Sequence, residues 1–138
     1  MMRRLTAVLL LLVSTGCSRK KTLTSDELKS QFTQAVSFAS EQEMFVDYLR
    51  AGRATSNFAE QHAAYLDAEI QRSADELAKA IPASGTQSAL QLCRIQLNQL
   101  RAELWKVRMH REDKNALSAD KARVEEIRRD LEQAKSGL

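Results

Sequence analysis

Leu90-Gln91-Leu92-Cys93-Arg94-Ile95-Gln96-Leu97-Asn98-Gln99-Leu100-Arg101-Ala102-Glu103-Leu104-Trp105-Lys106-Val107 carries the most regular hydrophobic seam in the chain. Leu90, Cys93, Leu97, Leu100, Leu104 and Val107 are separated alternately by three and four residues, the spacing of coiled-coil a and d positions. The run therefore predicts a long helix over residues 87–112, packed along one side. Cys93 lies inside that register, which predicts a buried, inert thiol. A second stripe occupies the far side of the same helix. Ile95, Ala102 and Met109 recur every seven residues, with Trp105 beside them. At about 100° per residue these side chains point largely away from the Leu97–Leu104 seam. Two readings fit. A central helix could bury both stripes between neighbours, or Ile95, Ala102, Trp105 and Met109 could form a partner-docking or self-association face, a use that suits Trp and Met.

Working outward, Pro82-Ala83-Ser84-Gly85 precedes this helix; it holds the chain's only proline and is its surest turn. Before it, Phe58, His62, Tyr65 or Leu66, Ile70, Ala74, Leu77 and Ile81 recur near a 3.6-residue period, with Thr55, Ser56 and Asn57 offering caps. Further upstream, Thr24 and Glu27 make a capping box, and Leu23 can pack against Leu28 as a staple. Leu28, Phe32, Ala35, Ala39, Val46 and Leu49 continue that helix, with Phe38, Phe45 and Tyr48 widening its face. Arg50 and Gly52 are its stop signals. On the other side of the seam, polar residues from His110 to Asn115 break the register. Val124, Ile127, Leu131 and Ala134 then resume it, with Ser118 or Asp120 as candidate cap. Neither glycine nor proline marks this last break.

The expected fold is all-α: an antiparallel up-down-up-down four-helix bundle over residues 24–138, with three long helices and a shorter last one. The alternative is one long helical hairpin turning at 82–85, with Gly52 and residues 110–117 kept helical. That hairpin would expose much of the apolar width of the first helix, so the bundle is favoured. No segment has the alternation of a strand.

The first seventeen residues are of another kind. Arg3 and Arg4 precede an apolar run from Leu5 to Val13, and Ser14-Thr15-Gly16-Cys17 follow. The run is shorter than the roughly 20 residues that span a bilayer, and it has the three-part layout of a secretory signal. Ending in Gly16-Cys17, it resembles the signal peptides of bacterial lipoproteins, although Ser14 stands where that family usually has Leu. The resemblance covers residues 1–17 alone. It implies cleavage before Cys17, a diacylglycerol on its sulfur and acylation (for example with palmitate) of its freed amine. It also implies localisation at the cell membrane or outer membrane, facing the periplasm, with Ser18 fitting the outer-membrane default. Several buried acyl chains hold a protein firmly where one holds marginally. The expected organisation is then a signal peptide over 1–16, a lipidated cysteine and short tether over 17–23, and the bundle over 24–138.

Removing residues 1–16 leaves 122 residues, enough for one modest domain, and loss of Arg3 and Arg4 brings the formal charge from +3 to +1. That balance argues against nucleic acid as a partner. Arg19, Lys20 and Lys21 follow the anchor and could touch anionic headgroups at about 1 kcal/mol each. The chain's two histidines, His62 and His110, are not at metal-binding spacing, and no CxxC, HExxH or glycine-rich phosphate loop occurs. His62 reads as a core or flank histidine and His110 as a solvated turn residue. Asp75 with Lys79 and Glu125 with Arg129 read as helix-stabilising surface pairs. The sequence thus nominates no catalytic residue, metal, cofactor or small-molecule substrate. It predicts a non-enzymatic, membrane-anchored interaction module at the cell envelope. An envelope-assembly spacer and a periplasmic chaperone or stress sensor are the alternatives.

Overall fold

The computed structural model describes residues 20–138. Among them the order is β1 (Thr22–Leu23), α1 (Ser25–Arg50), α2 (Ser56–Lys79), β2 (Ile81–Pro82), α3 (Gln87–Met109) and α4 (Lys114–Ser136). The four helices pack on one another as an all-α four-helix bundle. The single long hairpin is not formed, because the chain leaves the helical path after Arg50 and again after Met109.

Each break has a local cause. Thr24 accepts from the Glu27 N–H at 3.2 Å, and Glu27 accepts from the Thr24 N–H at 2.9 Å, so α1 begins in a reciprocal capping box. The Lys21 ammonium and the two Thr24 donors hold the Glu27 carboxyl well down, to about 2. At the other end Gly52 adopts φ +67, where its N–H reaches the Leu49 carbonyl and the Arg53 N–H the Tyr48 carbonyl. That pair of bonds is a Schellman close, which needs the left-handed conformation a glycine adopts freely. Thr55 caps α2 by accepting from the Phe58 N–H.

The break before α4 lies earlier than Ser118 or Asp120. Asp113 is the cap, accepting from the N–H groups of Asn115 and Ala116 at 3.0 Å each. Residues 110–113 therefore form a tight turn stopped by side-chain capping alone. As a result α4 has 23 residues, the same length as α3, and is no shorter.

Neighbouring helices run antiparallel, since residue numbers fall on one as they rise on the other. Glu43 and Asp47 of α1 meet Arg128 and Lys121 of α4 at 2.6 and 2.7 Å. Asp67 and Glu60 of α2 meet Arg101 and Arg108 of α3. Gln96 of α3 donates to Asp130 of α4 at 3.3 Å. α1 packs most extensively against α4 and α2 against α3, while α1 and α2 touch least of the adjacent pairs.

The interior forms two apolar clusters. The lower one gathers around Phe32, Ile70, Leu77, Leu97 and Leu131, and includes Cys93. The upper one gathers around Phe45, Leu66, Leu104, Val107 and Leu117. All six seam residues of α3 are buried.

The one element outside the sequence expectation is a two-stranded parallel ribbon. Thr22 pairs with Ile81 and Leu23 with Pro82. The Ile81 N–H donates to the Lys21 carbonyl at 3.0 Å and the Ala83 N–H to the Leu23 carbonyl at 3.1 Å. Pro82 lies between these donors, at the alternate position where a missing N–H leaves no ladder bond unmade. Two residues per strand are too few to leave an alternating pattern, which is why the sequence is silent about it.

Candidate interaction surface

The outward stripe of α3 remains in solvent. Ile95 is 43%, Trp105 61% and Met109 65% exposed, and Ala102 is exposed between them. The reading in which a central helix buries both stripes is therefore not met in this chain, although α3 packs against α2, α4 and α1. Isolated exposed apolar residues are ordinary on any surface. Here Trp105 and Met109 lie four apart, so they sit side by side over one turn.

Trp105 is framed by charge. Arg101 and Arg108 stand four residues before it and three after, on the same side of α3. Each reaches across to α2. The Arg101 Nε donates to Asp67 Oδ1 at 2.8 Å and its Nη2 to Asp67 Oδ2 at 3.3 Å, a two-bonded fork, with Gln71 as a further acceptor. The Asp67 carboxylate holds the Arg101 guanidinium above its usual pKa. Arg108 pairs with Glu60. Two hollows flank the indole. One, of about 510 Å³, is lined by Glu60, Trp105, Arg108, Met109, Arg111 and Glu112. The other, of about 280 Å³, lies between Trp105, Ala102, Arg101 and Asp67. The arrangement offers an apolar ridge with polar walls and no convergent acid–base or nucleophilic set.

A second exposed group was not nominated by the sequence. Phe58, Tyr65 and Ile81, expected on the inner face of α2, are exposed, and Ala59 and Ala63 point inward instead. Leu66, Ile70, Ala74 and Leu77 are buried as expected, and the small side chains of Ala59 and Ala63 extend their face toward the start of α2. The four-, three- and four-residue steps from Ala59 to Ile70 were legible, but larger residues beside them dominated the pattern. The displaced rings form a row along α1 and α2. Tyr48 meets Phe58 edge-on at 5.4 Å, Phe58 stacks on His62 at 5.4 Å, and Phe45 tilts against His62 at 4.9 Å. Met44 of α1 is exposed as well. His62 is a flank histidine, half-buried, with Nε2 3.6 Å from Glu41.

His110 is not simply solvated. It ends α3, and its Nδ1 lies 2.8 Å from the buried Asp120 carboxylate of α4, tying the 110–113 turn to the helix that follows. Neither Asp75 with Lys79 nor Glu125 with Arg129 is an ion pair among the described residues. The pairs on α4 are Lys121 with Glu125 and Arg128 with Glu132, set by the reach of each cation toward α1. Cys93 is fully buried, and burial pushes its thiol up to about 12.

Among the described residues no group of His, Cys, Asp and Glu is placed to hold a metal ion, and no helix is long and apolar enough to cross a membrane. Cys17, the expected lipidation site, lies outside the described residues. No family model, curated protein or solved structure matches the chain.

Proposed function

We propose that the chain is a bacterial lipoprotein, held at the periplasmic face of a membrane by lipid on Cys17, whose helical body is a non-enzymatic protein-interaction module. The Arg3–Cys17 layout supports the anchor. The observation that carries the interaction reading is the exposure of Trp105 and Met109 on one turn of α3, with Ala102 and Ile95 continuing the line. Apolar residues repeating every seven positions along a helix suit a partner helix laid alongside, with Ala102 as the low point of closest approach. Trp105 would be the anchor residue, in keeping with the weight tryptophan carries at interface centres.

Two measurements test the two halves separately. Intact mass and detergent partitioning of the protein made with its own leader, beside Cys17→Ser, test the anchor. Wild type is expected lighter by the leader, heavier by acyl chains and in the detergent phase. An unmodified Cys17 removes the anchor. For the module, a photo-crosslinking residue at Ala102 is expected to capture one discrete protein in living cells, and the same residue at Gln133, on the outer side of α4, is not. Equal labelling from both sites removes the docking face and leaves the spacer reading.

A further inference from the structure

A lipid on Cys17, as proposed above, would leave little chain between the membrane and the helical body. Lys20 stands three residues after Cys17, a span of at most about 11 Å. Beyond Lys20 the chain has no slack. Lys21 and Leu23 accept the two ribbon bonds from Ile81 and Ala83, the Lys21 ammonium bonds Glu27 at 2.7 Å, and Leu23 is buried in the lower cluster. The start of α1 and the 80–86 loop are thus fastened to each other within a few residues of Cys17 in the sequence.

We propose that, where Cys17 carries lipid, this end of the bundle is itself a docking base for the anionic phospholipid surface of the membrane, on which the helices stand upright. A hollow of about 430 Å³ opens there, with Leu23, Leu77 and Ala80 in its wall and Lys20, Lys21 and Lys79 around it. Ile81 is exposed on the same loop. Lysines around an apolar wall match a lipid phosphate with its first methylenes below, the amphiphilic pattern of an interfacial binder. Three carboxylates share the region: Glu76 in the hollow, Asp26 exposed in the first turn of α1, and Glu27, which Lys21 already neutralises.

The rival posture lays the bundle on the aromatic row of α1 and α2. That would press Glu41, beside His62, against headgroups of its own sign. The upright posture also has a consequence for the interaction face. Trp105 lies eighteen residues along α3 from Gln87, hence about 27 Å up the bundle from its base.

The chain's single tryptophan makes the posture readable. Mature lipidated protein is placed in phosphatidylcholine vesicles containing brominated lipid, with and without phosphatidylglycerol. Wild type reports from Trp105, and an Ile81→Trp, Trp105→Phe variant reports from the base. Both substitutions are on the surface, and far-UV circular dichroism checks the fold. The expected result is quenching from position 81, none from Trp105, and stronger quenching at 81 when phosphatidylglycerol is present. Lys20→Gln and Lys79→Gln should each lower the balance of docked over undocked base by about fivefold, an effect that fades with salt.

Membrane-bound protein whose Trp105 is quenched as strongly as position 81 overturns the base and leaves the anchor intact. Position 81 quenching that ignores both phosphatidylglycerol and the lysine changes overturns the headgroup contact. Protein that stays in the aqueous phase with Cys17 unmodified by mass overturns the anchor, and the base with it.

Discussion

Replacing Gln42 by Leu should make this protein more stable. Gln42 is fully buried in α1, and neither its amide nitrogen nor its amide oxygen has a hydrogen-bond partner among the described residues. It falls between Ala39, where the lower cluster ends on α1, and Phe45, where the upper one begins. Each unsatisfied buried group costs about 1–3 kcal/mol. A buried leucine in the same space also contributes its own apolar contacts, about 1.5–3 kcal/mol for a side chain fully removed from water, part of which the glutamine stem already supplies. The expected gain is at least about 2 kcal/mol. For a body of this size, about 4 °C accompanies each kcal/mol, so the midpoint should rise by about 8 °C. Thermal and urea unfolding followed by circular dichroism measure it, with an unchanged urea slope showing that stability alone has moved. Gln42→Met, unbranched like glutamine, controls for shape. Gln42→Ala, which removes the amide but leaves a hole, should fall below both. If Leu and Met both lower the midpoint, the amide is satisfied by water held in the core and the reasoning fails.

Three further outcomes follow from single contacts. Trp105→Ala should change stability by no more than about 0.5 kcal/mol, because the indole is mostly in water, while abolishing the crosslink from position 102; early melting would instead place Trp105 in the core. Cys93 should be silent toward thiol reagents until the protein unfolds. Its raised pKa also fixes the sign of a pH effect: below about pH 9 both states keep the proton, and between 9 and about 12 the unfolded chain alone loses it. Stability should therefore fall by up to about 1.4 kcal/mol per pH unit across that window relative to Cys93→Ala, and equal slopes for the two proteins would refute it. Gly52→Ala should destabilise by about 1–2 kcal/mol in urea unfolding, through the left-handed conformation alone, since a Cβ there meets nothing within 4 Å; a neutral result would mean that the Schellman close has relaxed.

The parts of this fold legible in the sequence are those written in repeated or paired residues. The α3 seam repeats over six positions, and every one is buried. The Thr24–Glu27 box needs two residue types at one spacing, and both bonds form. On α2 the spacing of Leu66, Ile70, Ala74 and Leu77 marks buried residues, whereas the size of Phe58 and Tyr65 masks the inward Ala59 and Ala63. Ala59 and Ala63 face the core because small side chains let helices approach closely, and the rings of Phe58 and Tyr65 are turned out as a result. The Asp113 cap is not legible in the sequence because its signal is one aspartate in a polar run containing other capping types. The ribbon and the His110–Asp120 contact are tertiary, joining residues whose sequence neighbourhoods give no reason to pair them. For the candidate surface, the heptad repeat named Ile95, Ala102 and Met109 and placed Trp105 beside them. Periodicity could not say whether a neighbouring helix covered that face, which depends on how four helices divide the space around α3.

The division of the core bears on how such a surface is held. Leu104 and Val107, on the inner side of the turn that carries Trp105, belong to the upper cluster, whereas Leu90, Cys93 and Leu97, nearer the base, belong to the lower one. Gln42 lies between the two on α1, while on α3 the buried seam runs from Leu100 in the one to Leu104 in the other. The face around Trp105 then rests on three supports of its own. Ala59 and Ala63 bring α2 close, Asp67 and Glu60 hold Arg101 and Arg108 on either side of the indole, and the His110–Asp120 contact closes the turn above. Framing groups that are already ordered lose little freedom when a partner arrives, which is the physical advantage of a preformed interface. The proposed base and the ridge some five turns above it are consistent with one another, since each rests on its own cluster.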